Sequence, residues 1–233
     1  MGAQATEAHM FIGHFGLGFA AKRAAPRVSL GTAFLAAQFL DLLWPTFLLL
    51  GIESVRIAPG ATAVTPLIFD HYPISHSLLA AIGWGLALGA LYALMRRNTR
   101  GAIVVAALVV SHWVLDLIVH VPDLPLAPGV DMVVGLGLWQ SKAATLAVEI
   151  PIFAAGVWLY ARSTHAKDKA GRYGLIGLVG FLAFIHVGNL FGPPPPDVTA
   201  IAWVGQAQWL LVAWAYWVDA HRGARITSET SPS

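Results

Sequence analysis

Six long apolar segments follow one another along the chain, separated by stretches that favour turns. Each segment is long enough to cross about 30 Å of hydrocarbon at a rise of about 1.5 Å per residue. The connections include Pro59-Gly60, the 122–129 stretch and a run of prolines at 193–196. The segments lie near residues 28–50, 75–95, 101–121, 142–161, 173–191 and 200–220. This pattern predicts an all-α fold, a polytopic membrane helix bundle with six transmembrane helices.

A shorter apolar run, from His9 to Ala21, precedes these segments. Its length allows a half-inserted helix, a re-entrant segment, or a full span if residues 2–7 contribute. The chain shows neither an internal repeat nor a second domain, so we expect residues 1–226 to form one integral membrane domain. The polar tail at 227–233 is expected to be disordered.

The composition supports a membrane location. Hydrophobic residues make up 57% of the chain and charged residues 11%, with a mean hydropathy of +0.68, whereas soluble domains carry about 25% charged residues. The expected partner is therefore the lipid bilayer and not a nucleic acid, and the oligomeric state stays open. The chain has no cysteine, so any metal must be held by His, Asp or Glu, which suits zinc or another divalent ion.

Lys and Arg are distributed unevenly among the connections. Twelve of them fall on one side of the predicted bundle, and only Arg56 and Lys142 fall on the other. This asymmetry is a strong positive-inside signal. It predicts a multi-pass protein of the cell (inner or plasma) membrane, with a cytoplasmic C-terminus and with the 51–74, 122–141 and 192–199 loops outside.

Three ionisable residues share one face of the 101–121 segment. His112, Asp116 and His120 are spaced i, i+4 and i+8, which places them one above another on a helix. A charge facing lipid at the bilayer centre would cost roughly 2.5–3.5 kcal/mol. The face must therefore look into protein, either as a divalent metal site or as a polar seam that hydrogen-bonds to neighbouring helices.

Most embedded ionisable residues lie at a similar depth. Counted from the cytoplasmic charges, Asp41, Glu149 and His186 lie about 20 Å deep, and His112 and Asp116 about 18 and 24 Å. The inner halves of the helices, at 86–95, 104–110, 152–160 and 175–184, contain no Asp, Glu, His, Lys or Arg. This layering predicts a polar site in the outer half of the membrane.

Four short motifs in the first half of the chain form a set. They are His14-Phe-Gly-Leu-Gly18, Asp41 in Gln-Phe-Leu-Asp-Leu-Leu-Trp-Pro, His71-Tyr-Pro-Ile-Ser-His76-Ser-Leu and Ser111-His112-Trp-Val-Leu-Asp116. Over roughly residues 9–125 they resemble the membrane-bound metal-dependent hydrolase family, the YdjM-like proteins. The chain departs from that pattern at two positions. It has Asp41 alone where an acidic pair is usual, and it has Tyr72 where an Arg often follows the first of the two paired histidines, here His71. His9-Met-Phe-Ile-Gly13 also fits the first motif, so the N-terminal ligand is His14 or His9, with His14 preferred.

The resemblance implies hydrolysis at a divalent metal site. The implied ligands are His14, Asp41, His76, His112 and Asp116. Their order is similar to that in zinc-dependent phospholipases C, which suggests a phosphoester in a small-molecule or lipid substrate. Such a set can hold one zinc ion, or two that share Asp116, with a coordination position left open. His71 and His120 are the candidate catalytic acid or base, and Asp70 or Asp123 the candidate partner of a ligand histidine.

Other interpretations of these residues stay open. His186 suits helix packing as well as ligation, and Glu149 can satisfy backbone groups freed by Pro151. A transporter or proton relay is expected to place polar residues along a full path or to contain an inverted repeat, and this chain shows neither. A structural or sensory metal protein would use the same ligands in a closed site.

The charge asymmetry makes a prediction about topology. Cysteine placed at Ala63 or Ala127 in this cysteine-free chain should react with a membrane-impermeant thiol reagent in intact cells. Cysteine at Ala166 should react only after the cells are opened. Labelling of the third position alone in intact cells would reverse the orientation.

Overall fold

The computed structural model describes residues 11–225, and this part of the chain is mostly helical. Its helices are α1 (Ile12–Ala24), α2 (Leu30–Ala37), α3 (Phe39–Leu49), α4 (Pro73–His76), α5 (Leu78–Arg96), α6 (Thr99–Val119), α7 (Lys142–Ser163), α8 (Lys169–Phe191), α9 (Val198–Gln206) and α10 (Gln208–Ala220). Short strands form three antiparallel pairs in the connections. They are β1 (Ser54–Ile57) with β2 (Leu67–His71), β3 (Leu124–Pro125) with β4 (Val133–Val134), and β5 (Thr164–Ala166) with β6 (Arg222–Ala224). The expected tail lies outside the described residues.

Five helical stretches within residues 11–225 are long and apolar enough to cross a membrane. They are α5, α6, α7, α8, and α9 with α10 taken together. A sixth is obtained if α2 and α3, which meet at an angle of 56°, form one bent span. Large apolar side chains also face outward, for example Leu94 and Phe184, which are 80% and 72% exposed. The chain is therefore built as a membrane protein with five or six spans.

The predicted 28–50 segment is not one straight helix. It breaks at Gln38, between α2 and α3, and Pro45 lies inside α3. The Ala37 carbonyl at this break receives a hydrogen bond from a side chain of α6, His112 Nδ1, at 2.7 Å. A polar side chain that satisfies a carbonyl at a helix break makes such a bend tolerable in an apolar environment.

The N-terminal run gives a described helix of 13 residues, α1, which is about 20 Å long. It packs closely on α7, because Gly16 and Gly156 bring the two backbones into direct contact. α5 and α6 meet in a similar way, since a methyl group on Gly85 would lie 2.9 Å from the Ala106 carbonyl oxygen. Small residues at such crossings are typical of helix packing in membranes.

The α1–α7 contact can be tested with a single methyl group. Gly156→Ala places a Cβ against the Gly16 carbonyl, and such overpacking should cost about 1–3 kcal/mol of stability. Gly83→Ala is the matched control, because nothing lies within 4 Å of a Cβ at that position. The measurement is thermal unfolding of the detergent-solubilised protein. Equal melting temperatures for the two variants would show that the helices do not meet there.

Candidate metal centre

Five side chains from four helices converge at one place in the bundle. They are His14 on α1, Asp41 on α3, His76 at the end of α4, and His112 and Asp116 on α6. The three histidines and Asp116 are buried, and Asp41 is partly exposed. These are the five residues for which the sequence predicts metal ligation. His9, the alternative N-terminal ligand, lies outside the described residues.

The two carboxylates lie between the three imidazoles. Asp116 Oδ1 is 3.2 Å from His14 Nε2, and Asp116 Oδ2 is 3.3 Å from His112 Nε2. Asp41 Oδ1 is 3.3 Å from His76 Nε2 and 3.7 Å from His112 Nε2. The rings of His14 and His112 are stacked, with their centroids 3.8 Å apart and their planes 6° from parallel.

The hydrogen bond to the Ala37 carbonyl fixes the tautomer of His112. A carbonyl oxygen only accepts, so His112 Nδ1 must carry a proton and donate it over the 2.7 Å separation. In the neutral ring, Nε2 then has no proton and presents a lone pair to the oxygens of Asp41 and Asp116. Two acceptors facing each other cannot form a hydrogen bond, whereas a cation between them would bind both.

A relay from Glu53 fixes His76 in the same way. Glu53 Oε1 accepts the backbone N–H groups of Ile74 and Ser75 at 2.8 Å, and its Oε2 accepts the Ser75 hydroxyl at 2.6 Å. Because the Ser75 hydroxyl already donates its hydrogen bond to Glu53, Ser75 Oγ must accept a hydrogen bond from His76 Nδ1 over their 2.7 Å separation. His76 Nε2 is thereby left without a proton, directed at Asp41. A second residue that holds a histidine ligand by its other nitrogen is characteristic of metal sites.

Several polar atoms of the cluster lack any hydrogen-bond partner within residues 11–225. They are both ring nitrogens of His14, Nε2 of His112 and Oδ2 of Asp116, all buried. Buried polar atoms are almost always hydrogen-bonded, so a group of orphans at one point needs a reason. Tetrahedral ligation at about 2.0–2.2 Å places neighbouring donor atoms about 3.3–3.6 Å apart. The closest N···O separations here, 3.2 and 3.3 Å, fit that spacing, so the residues can hold a metal ion.

Two overlapping groups of three share His112. One is His14, His112 and Asp116, and the other is Asp41, His76 and His112, each with its ligand atoms within 4.8 Å of one another. The single free nitrogen of His112 can bind only one ion. A second ion would therefore have to rely on Asp116, whose two oxygens face different histidines.

His120 stands beside this cluster and is held by Asp123. Asp123 Oδ1 accepts from His120 Nδ1 at 2.8 Å and from the Tyr72 hydroxyl at 3.3 Å. Burial, and then the negative charge of Asp123, raises the pKa of Tyr72 well above its usual value, so this hydroxyl keeps its proton. With Nδ1 occupied, His120 Nε2 is available to take a proton. Of the two predicted partners of a histidine, Asp123 has this geometry.

His71 is placed differently. It lies exposed at the end of β2 and is not part of the cavity wall at the cluster. Its neighbour Asp70 is bound by Arg56 through two hydrogen bonds of 2.7 and 2.8 Å, and this guanidinium lowers the pKa of Asp70. The structure therefore brings neither His71 nor Asp70 to the metal ligands, and a catalytic role for His71 stays a prediction.

Glu149 supports the site from outside it. Its Oε2 accepts the backbone N–H groups of Phe11, Ile12 and Gly13 at 3.0, 3.1 and 3.3 Å, at the start of α1. The carboxylate thus satisfies the beginning of the helix that carries His14, and not the backbone near Pro151. His186 is buried with its Nδ1 4.0 Å from Glu149, and it is not one of the converging ligands.

A cavity of about 800 Å³ adjoins the cluster. Asp41, His76, Asp116 and His120 are the ionisable residues of its wall. The rest of the wall is mostly apolar and comes from α8, α9, α10, the proline run at 193–196 and aromatic residues from other parts of the chain. Three of the five candidate ligands, Asp41, His76 and Asp116, therefore face a space large enough for a small organic molecule.

The chain matches no protein-family model, no curated protein and no solved structure. The resemblance to the YdjM-like proteins consequently stays a prediction carried by the four motifs. The metal site is supported by the geometry of the cluster alone.

The geometry predicts which variants lose metal. Asp116→Asn keeps the shape of the side chain but removes the charge that faces His14 and His112, so bound metal should fall sharply. Ser75→Ala breaks the relay to His76 and should weaken metal affinity by about 10–100-fold. His165→Ala is the control, because that residue is exposed in β5. Elemental analysis and metal titration of the purified proteins provide the measurement, and equal metal content in Asp116→Asn and His165→Ala would leave the cluster without its proposed role.

Proposed function

We propose that the protein is an integral membrane, metal-dependent hydrolase that cleaves phosphoester bonds. One observation carries the proposal. His112 and His76 each have Nδ1 tied to a partner, by 2.7 Å hydrogen bonds, and direct Nε2 at carboxylate oxygens. This is the arrangement of a divalent-ion site, and it adjoins a cavity with room for a substrate.

Nitrogen and carboxylate ligands without thiolates favour zinc over softer ions. An ion held there would act as a Lewis acid, polarising a phosphoryl oxygen and making water a better nucleophile. The motif resemblance to the YdjM-like proteins and the ligand order of zinc-dependent phospholipases C support phosphoester hydrolysis over other reactions. The positive-inside distribution of Lys and Arg supports a site open to the exterior of the cell membrane.

His120 is the group that we assign to proton transfer. Its Nδ1 donates to Asp123, which orients the ring. Its free Nε2 takes a proton from water as the water attacks phosphorus, and returns it to the leaving oxygen. The Tyr72 hydroxyl, which also donates to Asp123, keeps that carboxylate in place.

The cavity supports this function over the alternatives. A structural metal site is closed by its ligands, whereas Asp41, His76 and Asp116 all reach the cavity wall. A transporter requires a polar path on both sides of the membrane midplane. The 86–95, 104–110, 152–160 and 175–184 stretches contain no Asp, Glu, His, Lys or Arg for such a path.

The test separates metal binding from catalysis. The purified protein, loaded with zinc, should hydrolyse a water-soluble diester such as methyl p-nitrophenyl phosphate. His120→Ala should keep its metal but lose turnover by about 10²–10⁴-fold, the usual contribution of a proton-transfer group. His165→Ala should keep both. If zinc-loaded wild-type protein hydrolyses no phosphoester, the hydrolase assignment is wrong.

A further inference from the structure

α8 and α10 touch from the end that carries the basic residues as far as Phe181, whose ring centroid lies 5.7 Å from that of Trp214. At the end that carries the basic residues, Gly171 meets the His221 carbonyl. A Cβ on Gly174 would lie 2.6 Å from the Trp217 ring, and one on Gly177 would lie 3.3 Å from Trp214. These contacts hold the two helices together near residues 171–177 and 214–221.

Beyond Phe181, one side of α8 stays packed in the bundle through Leu182, His186 and Leu190, whereas the side that carries Ile185 and Gly188 faces the cavity. A Cβ on Gly188 would meet nothing within 4 Å. The space on this side belongs to the cavity, which Phe181 and Ile185 line from α8 and Leu211 lines from α10. We call this space the α8–α10 wedge, bounded by residues 181–189 of α8 and 208–214 of α10.

The wedge is open towards the side of the bundle. Phe181 and Leu210 line the cavity and are 42% and 71% exposed, and Val204 of α9, which also lines it, is 72% exposed. Because these residues lie on helices apolar enough to span a membrane, we expect lipid chains to surround this opening. A molecule already in the bilayer can therefore reach the cavity without crossing water.

The wall of the cavity has two chemical parts. Part of it consists of the acidic and imidazole groups of Asp41, His76, Asp116 and His120, and along the wedge all lining residues are apolar except Asn189 and Gln208. Residues 181–189 of α8 cover about 12 Å along the helix axis. A polar solute would have to give up water to lie along this stretch, whereas a hydrocarbon chain exchanges one apolar environment for another.

We propose that the substrate is a membrane amphiphile, a phosphoester lipid that enters sideways through the α8–α10 wedge. Its head group reaches the His/Asp cluster, and its hydrocarbon chain lies between α8 and α10. This inference rests on the proposed hydrolase function for the reaction, and adds the class of substrate and its route. Because Gly188 has no side chain, the wedge stays wide enough for the hydrocarbon chain.

Two diesters with the same scissile bond test the proposal. Hexadecyl p-nitrophenyl phosphate in mixed micelles carries a long chain, and methyl p-nitrophenyl phosphate does not. Gly188→Leu puts a bulky side chain into the wedge and should lower kcat/KM for the hexadecyl diester by about tenfold or more, as overfilling a packed space does. Turnover of the methyl diester should not change. Gly180→Leu is the matched control, since its side chain also meets open space but Gly180 does not line the cavity, and both substrates should be unaffected.

A binding measurement tests whether the lipid enters the wedge, independently of whether the protein hydrolyses it. Hexadecyl phosphate with a diazirine in its chain should, on illumination, label residues of 181–189 or 208–214, and Gly188→Leu should reduce this labelling while Gly180→Leu does not. Labelling without hydrolysis of either diester would refute the hydrolase function and leave lipid binding in place. Hydrolysis of the methyl diester with no wedge labelling, or equal losses on both diesters in Gly188→Leu, would overturn the lipid proposal. Metal content and thermal stability of each variant exclude loss of folding as the cause.

Discussion

The hydrogen bond from His112 Nδ1 to the carbonyl of Ala37 is the interaction on which the site depends. It needs the break between α2 and α3, because the carbonyl of a straight helix would be engaged by the backbone four residues on. It directs Nε2 into a space where carboxylate oxygens are the nearest polar atoms. A proton on one ring would satisfy one contact, whereas a divalent ion satisfies the imidazole and carboxylate atoms that meet there.

Two acidic residues outside the cluster hold its parts in place by binding backbone. Glu53 takes the N–H groups at the start of α4 and the hydroxyl next to His76. Glu149 takes the first N–H groups of α1 and so fixes the helix that carries His14. Each carboxylate satisfies donors that would cost about 1–3 kcal/mol apiece if left buried and unpaired. The ligands supported in this way are His76 on α4 and His14 on α1.

The sequence predicts the parts of this arrangement that repeat at fixed spacing. The apolar runs indicate the spans, and the four-residue step from His112 to Asp116 places two ligands on one face. The bend at Gln38 has no such signal, because no proline or glycine stands at that position and the break is compensated by a residue of another helix. Glu53 was missed for a related reason: it lies in a loop, and its partner Ser75 is 22 residues away. The sequence signal for this relay is Ser75, a hydroxyl residue that directly precedes His76 in the motif.

Polar contacts at the basic end of the bundle hold α1, α7, α8 and α10 together. Asp219 of α10 binds Lys22 of α1 at 2.9 Å and the Tyr160 hydroxyl of α7 at 2.8 Å. The β5–β6 pair joins the α7–α8 connection to the chain after α10. With its first turns fixed in this way and glycines at its contacts, α8 can approach α10 closely there. The candidate ligands come from α1, α3, α4 and α6, whereas α8, α9 and α10 contribute only to the cavity wall. The proposed entry of a lipid between α8 and α10 therefore does not require any ligand to move.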